Sequence, residues 1–255
     1  MPALRGAGLA VRALTKRFGR KTAVDDLSFE VARGEIVAVA GPNGAGKSTT
    51  LMCLAGLVRP DAGTIAFDGA VLGPERGRAI ALIPETPDVY PLLTVWEHFA
   101  FVAALTRQPP GWEERAETLL DRLELTADRD TLGNALSKGM RQKTLLAATV
   151  LGGTPVLLLD EPMVGLDPLG QRELRALLTA LRSDGHAILV STHLLENAAA
   201  MCDRMLVLDR GRLVASGTID ELRARRGDGS IEDVFLDVTG SLPLSSSKGQ
   251  DRLRS

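Results

Sequence analysis

A glycine-rich segment around position 45 constrains this chain more than any other feature. It reads GPNGAGKST and fits the spacing G-x-x-x-x-G-K-[ST]. Its residues are Gly41, Pro42, Asn43, Gly44, Ala45, Gly46, Lys47, Ser48 and Thr49. Glycines leave backbone N–H groups free to surround phosphate oxygens, because no Cβ atom stands in the way. The segment therefore predicts a phosphate-binding loop.

The sequence on either side of this loop supports that interpretation. Residues 36–40 are apolar and partly β-branched, as a buried parallel strand should be, and a helical pattern begins at Ser48. In a strand–loop–helix unit, Lys47 would bridge the β- and γ-phosphates and the Ser48 hydroxyl would ligate Mg²⁺. The alternative is an ordinary glycine turn before a helix. The context favours binding of ATP with Mg²⁺.

Size and hydropathy favour one large α/β domain outside the membrane. The 255 residues are 45% hydrophobic and 24% charged, which is enough for a substantial core. No stretch approaches the roughly 20 apolar residues of a membrane span, and the N-terminus lacks the apolar core of a signal peptide. We therefore expect a cytoplasmic protein.

Charge and cysteine content exclude two further classes. The net charge of −2 gives no indication of a nucleic-acid partner, so none is expected. A local basic edge is interpreted as a solvated face; its members are Arg5, Arg12, Lys16, Arg17, Arg20 and Lys21. Cys53 and Cys202 have no CxxC spacing, so buried thiols in a reducing compartment are expected rather than a metal site or a disulfide.

The apolar pattern along the chain changes its period twice. Residues 8–33 alternate short apolar runs with turn residues, which is typical of an antiparallel β layer, and residues 65–69 predict a hairpin. From Thr94 the spacing is helical, with a break at 109–111. The predicted helical stripe consists of Val95, Phe99, Val102 and Leu105. A helical subdomain is therefore inserted into the fold.

Two later apolar runs complete the predicted core. These runs are residues 156–159 and 187–190, and we expect both to lie beside the first strand in a parallel sheet. A helix over about 170–182 separates them, and residues 206–214 predict a closing hairpin. The fold class is therefore α/β: a P-loop NTPase (RecA-like) core with an N-terminal antiparallel β subdomain and an inserted α-helical subdomain. The whole domain is expected over 1–240, followed by a disordered tail over 241–255. Within the domain, the core and β layer are expected at about 8–80 and 155–225, and the helical subdomain at about 90–153.

Chemically competent side chains follow two of these runs. Asp160 and Glu161 end the first, where ligands gather in open α/β sheets. Asp160 would hold the Mg²⁺ shell through water, while Glu161 would polarise the attacking water. His193 ends the second run, where an imidazole could reach the γ-phosphate. Glu161, His193 and Lys47 are the predicted catalytic residues; capping of strand ends is the structural alternative.

Together these residues resemble the ATP-binding subunit of ABC transporters, over nearly the whole chain. The diagnostic segment is Leu136-Ser137-Lys138-Gly139-Met140, which occupies the place of the family signature LSGGQ. The resemblance implies an ATPase domain over 1–240 in which Ser137 and Gly139 contact the γ-phosphate bound by a second subunit. It also implies an ATP-dependent dimer, either a homodimer or a pairing with another ATPase subunit.

The resemblance assigns two further residues to the nucleotide and exposes two departures. Asp167 lies in the loop that links the two ATP sites of a dimer, and Phe18 lies where an aromatic ring stacks on adenine. Glu85 stands where the family commonly has a glutamine; it can still offer an oxygen to Mg²⁺, and it adds negative charge near the γ-phosphate. In the signature, Lys138 replaces a glycine and Met140 replaces a glutamine. Lys138 either offers a cation to the partner's phosphate or points into solvent.

The segments LSKGM and 231–236 are most similar to the type-2 exporter branch, which includes drug-efflux ATPases. Such subunits drive a separate polytopic transmembrane permease from the inner face of the cell membrane. Four aromatic residues are candidates for docking that partner, with a core role as the alternative: Tyr90, Trp96, Phe99 and Phe101.

Other functions remain open or are excluded. An importer ATPase and a regulatory ATPase without transport stay as alternatives, because the same engine serves all three. A ribosome-acting member would carry two nucleotide domains, a chromosome ATPase would show long heptads, and a GTPase would need a segment such as NKxD. The chain has none of these features.

Overall fold

The computed structural model describes residues 8–73, 76–224 and 231–239. Its strands are β1 (Gly8–Phe18), β2 (Lys21–Ala32), β3 (Glu35–Ala40), β4 (Ala62–Phe67), β5 (Ala70–Val71), β6 (Ile80–Ile83), β7 (Val156–Asp160), β8 (Ala187–Thr192), β9 (Arg204–Asp209) and β10 (Arg212–Thr218). Its helices are α1 (Lys47–Ala55), α2 (Val95–Leu105), α3 (Trp112–Arg122), α4 (Lys138–Leu151), α5 (Pro168–Ser183), α6 (Leu195–Ala199), α7 (Ile219–Ala224) and α8 (Ile231–Thr239). Arg5 and the predicted tail at 241–255 lie outside the described residues.

The predicted antiparallel layer is a four-stranded sheet with the order β2-β1-β4-β5. The hairpin expected near residue 67 joins β4 to β5, with Phe67 paired to Ala70. Asp68 and Gly69 make its turn with φ values of +50° and +80°, the left-handed conformation that two-residue hairpin turns favour. The sequence prediction of this layer is confirmed.

The second sheet has six strands in the order β10-β9-β3-β8-β7-β6. All neighbours are parallel except β10, which closes the predicted hairpin with β9. Along β3, side chains alternate between two apolar clusters: Ile36, Ala38 and Ala40 enter one, and Val37 and Val39 enter the other. Because both faces of the sheet are covered, polar residues do not alternate with apolar ones along its strands.

The helix between β7 and β8 begins earlier than the pattern over 170–182 predicts. Asp167 is its N-cap, and the side chain accepts a hydrogen bond of 2.8 Å from the Gly170 amide. Pro168 occupies the first turn, where its missing N–H costs nothing. The helical face that packs on the sheet carries Leu174, Leu178 and Leu181.

Helices α2, α3 and α4 form the inserted subdomain around their own apolar cluster. The stripe predicted for α2 is right at Val95 and Phe99, which are fully buried, but wrong at Leu105, which is 70% exposed. Ala103 continues the buried face instead. Residues 95, 99 and 103 are spaced by four and therefore lie on one side of the helix. Each residue turns an α-helix by about 100°, so residue 105, two residues beyond 103, points away from that side.

Two remaining sequence expectations concern the membrane and the thiols. In the described parts of the chain, no helix is long and apolar enough to cross a lipid bilayer. Cys53 and Cys202 are both buried and free, as predicted. Burial raises the pKa of the Cys53 thiol and raises that of Cys202 to about 12, so neither is a reactive thiolate.

Candidate functional site

The predicted phosphate loop connects β3 to α1. At Gly46 φ is +104°, and a Cβ atom there would lie 2.4 Å from the Ala23 carbonyl oxygen. At Gly41 a Cβ atom would lie 2.5 Å from the carbonyl oxygen of Leu208. Gly46 is also the N-cap of α1 and supplies no side-chain hydrogen bond, so the first N–H groups of that helix remain available to an anion.

A cavity of about 420 Å³ lies over this loop, and we call it the phosphate-loop cavity. Its walls come from the carboxyl ends of four neighbouring parallel strands, β3, β8, β7 and β6, and from the start of β2. The lining residues are Lys21, Ala23, Asn43, Gly44, Ala45, Gly46, Lys47, Ser48, Thr49, Glu85, Glu161, Val164 and His193. Seven of the nine predicted loop residues are therefore brought together with two of the predicted acids and the histidine.

Lys47 is a buried cation at the base of this cavity, with only 7% of its side chain exposed. Its Nζ donates to the carbonyl oxygen of Gly41 at 2.8 Å and lies 3.5 Å from that of Pro42. It also lies 3.7 Å from Glu161 Oε1. The remaining two loop residues of the prediction thus orient the lysine through their carbonyl groups.

Ser191 holds the two acidic residues at the end of β7. It is fully buried and lies opposite Asp160 in the parallel register of β7 and β8. Its hydroxyl donates to Asp160 Oδ1 and accepts from the Glu161 amide at 3.0 Å. Ser191 is not among the site residues predicted from the sequence; the available signal was its place in the VST run just before His193.

Glu161 adopts the left-handed conformation, with φ of +46°, which is uncommon for a residue other than glycine. Its side chain is only 12% exposed, and Oε2 lies 2.9 Å from Nδ1 of His193. The His193 amide also donates to Oε2, at 3.3 Å. Because Oε1 faces Lys47, the carboxylate lies between a lysine and an imidazole.

The sequence predicted the positions of Glu85, Lys21 and Phe18 with unequal success. Glu85 follows β6 and lines the cavity, as a residue near the phosphates must. Lys21 lines it as well, although the sequence placed this residue on a solvated basic edge. Phe18 does not line the cavity; it is 51% exposed and pairs with Lys21 across the β1–β2 turn. Its backbone therefore lies next to a residue of the cavity wall, while its ring contacts the Lys16 ammonium, 5.1 Å from the ring centroid.

The predicted metal ligands fit a hard cation. Ser48, Glu85 and Asp160 offer hydroxyl and carboxylate oxygens, the donors that Mg²⁺ prefers. Ser48 and Glu85 line the cavity, and Asp160 lies beside it, one oxygen engaged by Ser191. Within the described ranges, no group of three or more His, Cys, Asp and Glu side chains could hold a metal.

A second cavity, of about 400 Å³, contains the other predicted nucleotide contacts, and we call it the signature cavity. Its lining residues are Ser137, Lys138, Gly139, Met140, Gln142, Lys143, Gly165, Leu166, Asp167, Leu169, Gly170, Glu173 and Leu174. The two cavities have no lining residue in common. One chain therefore does not bring Ser137, Lys138, Gly139 and Asp167 to its own phosphate loop.

The signature cavity lies between the N-terminal ends of α4 and α5. Ser137 caps α4 by accepting a hydrogen bond from the Met140 amide at 3.2 Å, and Asp167 caps α5. Lys138 does not point into solvent: it is half-buried, and its Nζ donates to the Val164 carbonyl oxygen. A contact with the phosphate of a second subunit stays a prediction.

The four candidate docking aromatics have different environments. Phe99 is fully buried in the helical subdomain, and the Trp96 ring stacks on Trp112 with 5.5 Å between centroids. Tyr90 and Phe101 are 56% and 43% exposed and meet edge to face at 5.3 Å. The prediction is therefore wrong for Phe99, and the exposed pair keeps a surface that a partner can reach.

Comparisons with known proteins agree with this geometry. The family model described as ABC transporter matches residues 24–164. The Nod factor export ATP-binding protein I of Ralstonia nicotianae is 36% identical over 240 residues, covering 90% of this chain and 73% of that protein. The lipopolysaccharide export system ATP-binding protein LptB of Haemophilus influenzae is 32% identical over 235 residues, covering 89% and 96%.

Solved structures give the same result. A structure described as the ATP-binding subunit of an ABC transporter superposes with a TM-score of 0.83 at 36% identity, covering 91% of this chain and 99% of that one. The likeness thus extends from the phosphate loop through both sheets and the helical subdomain. The chain belongs to the ABC transporter family, as an ATP-binding subunit that hydrolyses ATP to power transport.

Proposed function

We propose that this ATPase drives export of a substrate through a separate membrane-spanning permease. Two similar relatives are named for export, one of Nod factor and one of lipopolysaccharide. The LSKGM segment supports the same branch. Import through a different permease and a regulatory role without transport are the alternatives.

The observation that carries the chemical part of the proposal is the position of Glu161. Its carboxylate lies over the phosphate loop, between Lys47 at 3.7 Å and His193 at 2.9 Å. A carboxylate placed there can accept a proton from a water molecule that attacks the γ-phosphorus. Lys47 is placed to stabilise charge on the phosphate oxygens, and His193 to orient Glu161 and contact the γ-phosphate.

In the proposed reaction, the water oxygen forms a bond to the γ-phosphorus while the bond from that phosphorus to the β,γ-bridging oxygen breaks. Glu161 takes the proton from water, ADP leaves with the bridging oxygen, and inorganic phosphate is released. The nine loop residues from Gly41 to Thr49 would hold the phosphates, and Phe18 would stack on the adenine. Mg²⁺, held by Ser48, Asp160 and Glu85, would neutralise phosphate charge.

We further propose that the active form is a dimer with two ATP molecules between its subunits. The separation of the two cavities supports this arrangement, since the signature cavity of one chain can face the phosphate-loop cavity of another. Ser137 and Gly139 would then contact the γ-phosphate of the partner, with Asp167 next to the junction. The second subunit is either a copy of this chain or a different ATPase.

The permease would hold the ATPase at the cytoplasmic face of the membrane. Tyr90 and Phe101 form an exposed aromatic pair on the helical subdomain, and Leu92 nearby in sequence is 77% exposed. Aromatic anchors of this kind are frequent at the centres of protein interfaces. This pair is the proposed contact with the membrane partner.

The experiment that tests this function is affinity capture from detergent-solubilised native membranes. The bait is the tagged Glu161→Gln chain with Mg-ATP, and co-purifying proteins are identified by mass spectrometry. A stoichiometric polytopic protein would establish a transporter, and its topology would separate export from import. Recovery of soluble partners alone would favour the regulatory alternative.

A matched variant sharpens that experiment. Tyr90→Ala with Phe101→Ala removes the exposed aromatic pair and leaves the buried Phe99 in place. If the pair docks the permease, recovery of the polytopic protein should fall, while binding of ATP by the bait persists. Equal recovery with both baits would move the docking surface elsewhere.

A further inference from the structure

One contact joins the signature segment to the loop that follows Glu161 within the same chain. Lys138 lies in the first turn of α4, and its Nζ donates to the carbonyl oxygen of Val164. Ion pairs within 4.0 Å that involve the described residues do not include Lys138. The ammonium charge is therefore directed at a backbone carbonyl rather than at a carboxylate.

The backbone of the loop is shaped to accept this lysine. At Gly165 φ is +75°, and a Cβ atom there would lie 3.3 Å from Lys138 Nζ and 3.6 Å from its Cδ. A side chain at this position would crowd the ammonium and its stem, and the left-handed backbone itself favours glycine. On the same side, a Cβ atom on Gly139 would lie 3.5 Å from Leu166 Cδ2, so the first turn of α4 packs directly on this loop.

The loop is short, and hydrogen bonds within it and from Gln171 also hold it. The Val164 amide donates to the carbonyl oxygen of Glu161 at 3.2 Å, which makes a turn directly after the carboxylate pair. Gln171 Nε2 donates to the carbonyl oxygens of Met163 and Leu166, both at 3.3 Å. Val164 lines the phosphate-loop cavity, whereas its neighbour Gly165 lines the signature cavity.

We propose that Lys138 is a positioning residue that fastens the loop after Glu161 to the helix that carries the signature segment. The lysine acts through Val164, one turn of backbone away from the carboxylate, and does not contact nucleotide itself. The two cavities of one chain are then mechanically linked by a side chain at a position where the family pattern has glycine. This inference rests on the proposed role of Glu161 as the base.

The first test is hydrogen–deuterium exchange of the nucleotide-free chain, followed by mass spectrometry on peptides that cover 161–167. Lys138→Met removes the ammonium and keeps the length of the stem. Because a hydrogen bond from a charged donor is lost, exchange of the loop amides should rise about tenfold. Lys138→Arg, which retains a cationic donor, should recover most of the protection.

A same-charge control comes from the same helix. Lys143 pairs with Glu173 at 2.8 Å rather than with the loop. Lys143→Met should therefore leave exchange over 161–167 at the wild-type level. Unchanged exchange in Lys138→Met, or equally raised exchange in both methionine variants, would overturn the proposal.

The second test separates positioning from a phosphate contact in the partner subunit. Lys138→Met should lower kcat about threefold to tenfold, because Glu161 is less well placed. The Kd for a fluorescent ATP analogue should stay within about twofold, since no phosphate contact is lost. If Lys138→Met raises amide exchange but keeps a normal kcat, the lysine does not position Glu161. If Lys138→Met keeps wild-type exchange but weakens ATP-dependent dimerisation, the ammonium contacts the partner's phosphate instead.

The proposed role of Glu161 is tested separately, by ATP hydrolysis. If Glu161 is not the base, Glu161→Gln retains near-normal hydrolysis. The exchange of 161–167 in Lys138→Met is measured without nucleotide and does not depend on that outcome.

Discussion

The phosphate-loop cavity and the signature cavity are built in different ways. In the first, side chains from separate strand ends contact one another: Lys47 and His193 both reach Glu161. In the second, the polar side chains at the helix ends are used to cap those helices, as Ser137 and Asp167 do. The first cavity holds charged groups ready for chemistry. The second lies between two helix N-termini, and its lysines already have partners in the chain: Lys143 pairs with Glu173, and Lys138 donates to the Val164 carbonyl oxygen.

This difference implies unequal sensitivity to substitution. A side chain whose charge acts on the reacting atoms affects the rate directly, by a large factor. A capping side chain affects the stability of its helix, by about 1 kcal/mol. Variants in the two cavities can therefore confirm or contradict the comparison.

The largest effect is expected for Glu161→Gln. The amide keeps the shape of the side chain and cannot accept the proton of the attacking water. ATP hydrolysis should fall roughly 10²-fold or more, while ATP binding persists. Steady-state release of inorganic phosphate measures the rate. Glu117→Gln is the control, because that carboxylate pairs with Arg129 on the exposed helical subdomain. Near-normal hydrolysis in Glu161→Gln would require a different base.

The next effect is expected for Lys47→Met, which removes the buried cation from the phosphate loop. Loss of one charged contact costs about 1.5–3 kcal/mol, or roughly tenfold to a hundredfold in Kd for ATP. Equilibrium fluorescence with an ATP analogue measures this change. Arg122→Met removes a charge that pairs with Asp184 outside both cavities, and its affinity should match the wild type. Equal affinities in both variants would mean that Lys47 serves its contacts within the chain, to Gly41 and Glu161, rather than the phosphates.

A smaller effect is expected for Ser191→Ala. The variant frees Asp160 Oδ1 and removes an acceptor from the Glu161 amide, although neither carboxylate is itself changed. We expect kcat to fall about tenfold, with Kd for ATP altered far less, because orientation rather than binding is lost. Ser191→Thr retains the hydroxyl and tests whether the hydrogen bonds are responsible. A rate reduced equally in both variants would point to packing instead.

The smallest effect is expected in the signature cavity, for Asp167→Ala. Loss of the N-cap of α5 should lower the free energy of unfolding by about 1 kcal/mol. Asp167→Asn preserves an acceptor that caps equally well and should keep wild-type stability. Urea denaturation followed by circular dichroism measures both. If Asp167→Asn abolishes hydrolysis while remaining stable, the carboxylate has a chemical role and the two cavities are more alike than we infer.

Sequence reasoning succeeded where the information is local. The phosphate loop, the acidic pair and His193 each follow an apolar strand directly, and parallel strands bring their carboxyl ends to one edge. Lys21 and Ser191 were missed because their importance depends on partners distant in sequence. No pattern near Lys21 indicates that the β1–β2 turn approaches the phosphate loop.

The same distinction explains the errors in the fold. The pattern over 170–182 missed the first residues of α5 because they are fixed by the cap at Asp167 rather than by apolar spacing. Leu105 is apolar at the end of α2, yet it lies off the buried face that Val95, Phe99 and Ala103 define. The contact of Lys138 with Val164 joins two segments whose neighbourhood only the folded chain reveals.

The central claim is that one chain carries two halves of different ATP sites. Sedimentation velocity of the Glu161→Gln chain, with and without Mg-ATP, tests it most directly. We predict a species of 27.1 kDa without nucleotide and one of twice that mass with Mg-ATP. A 27.1 kDa species that holds bound ATP and associates neither with itself nor with an ATPase subunit captured from the native membranes would contradict the claim, since the signature cavity would then have no phosphate to meet.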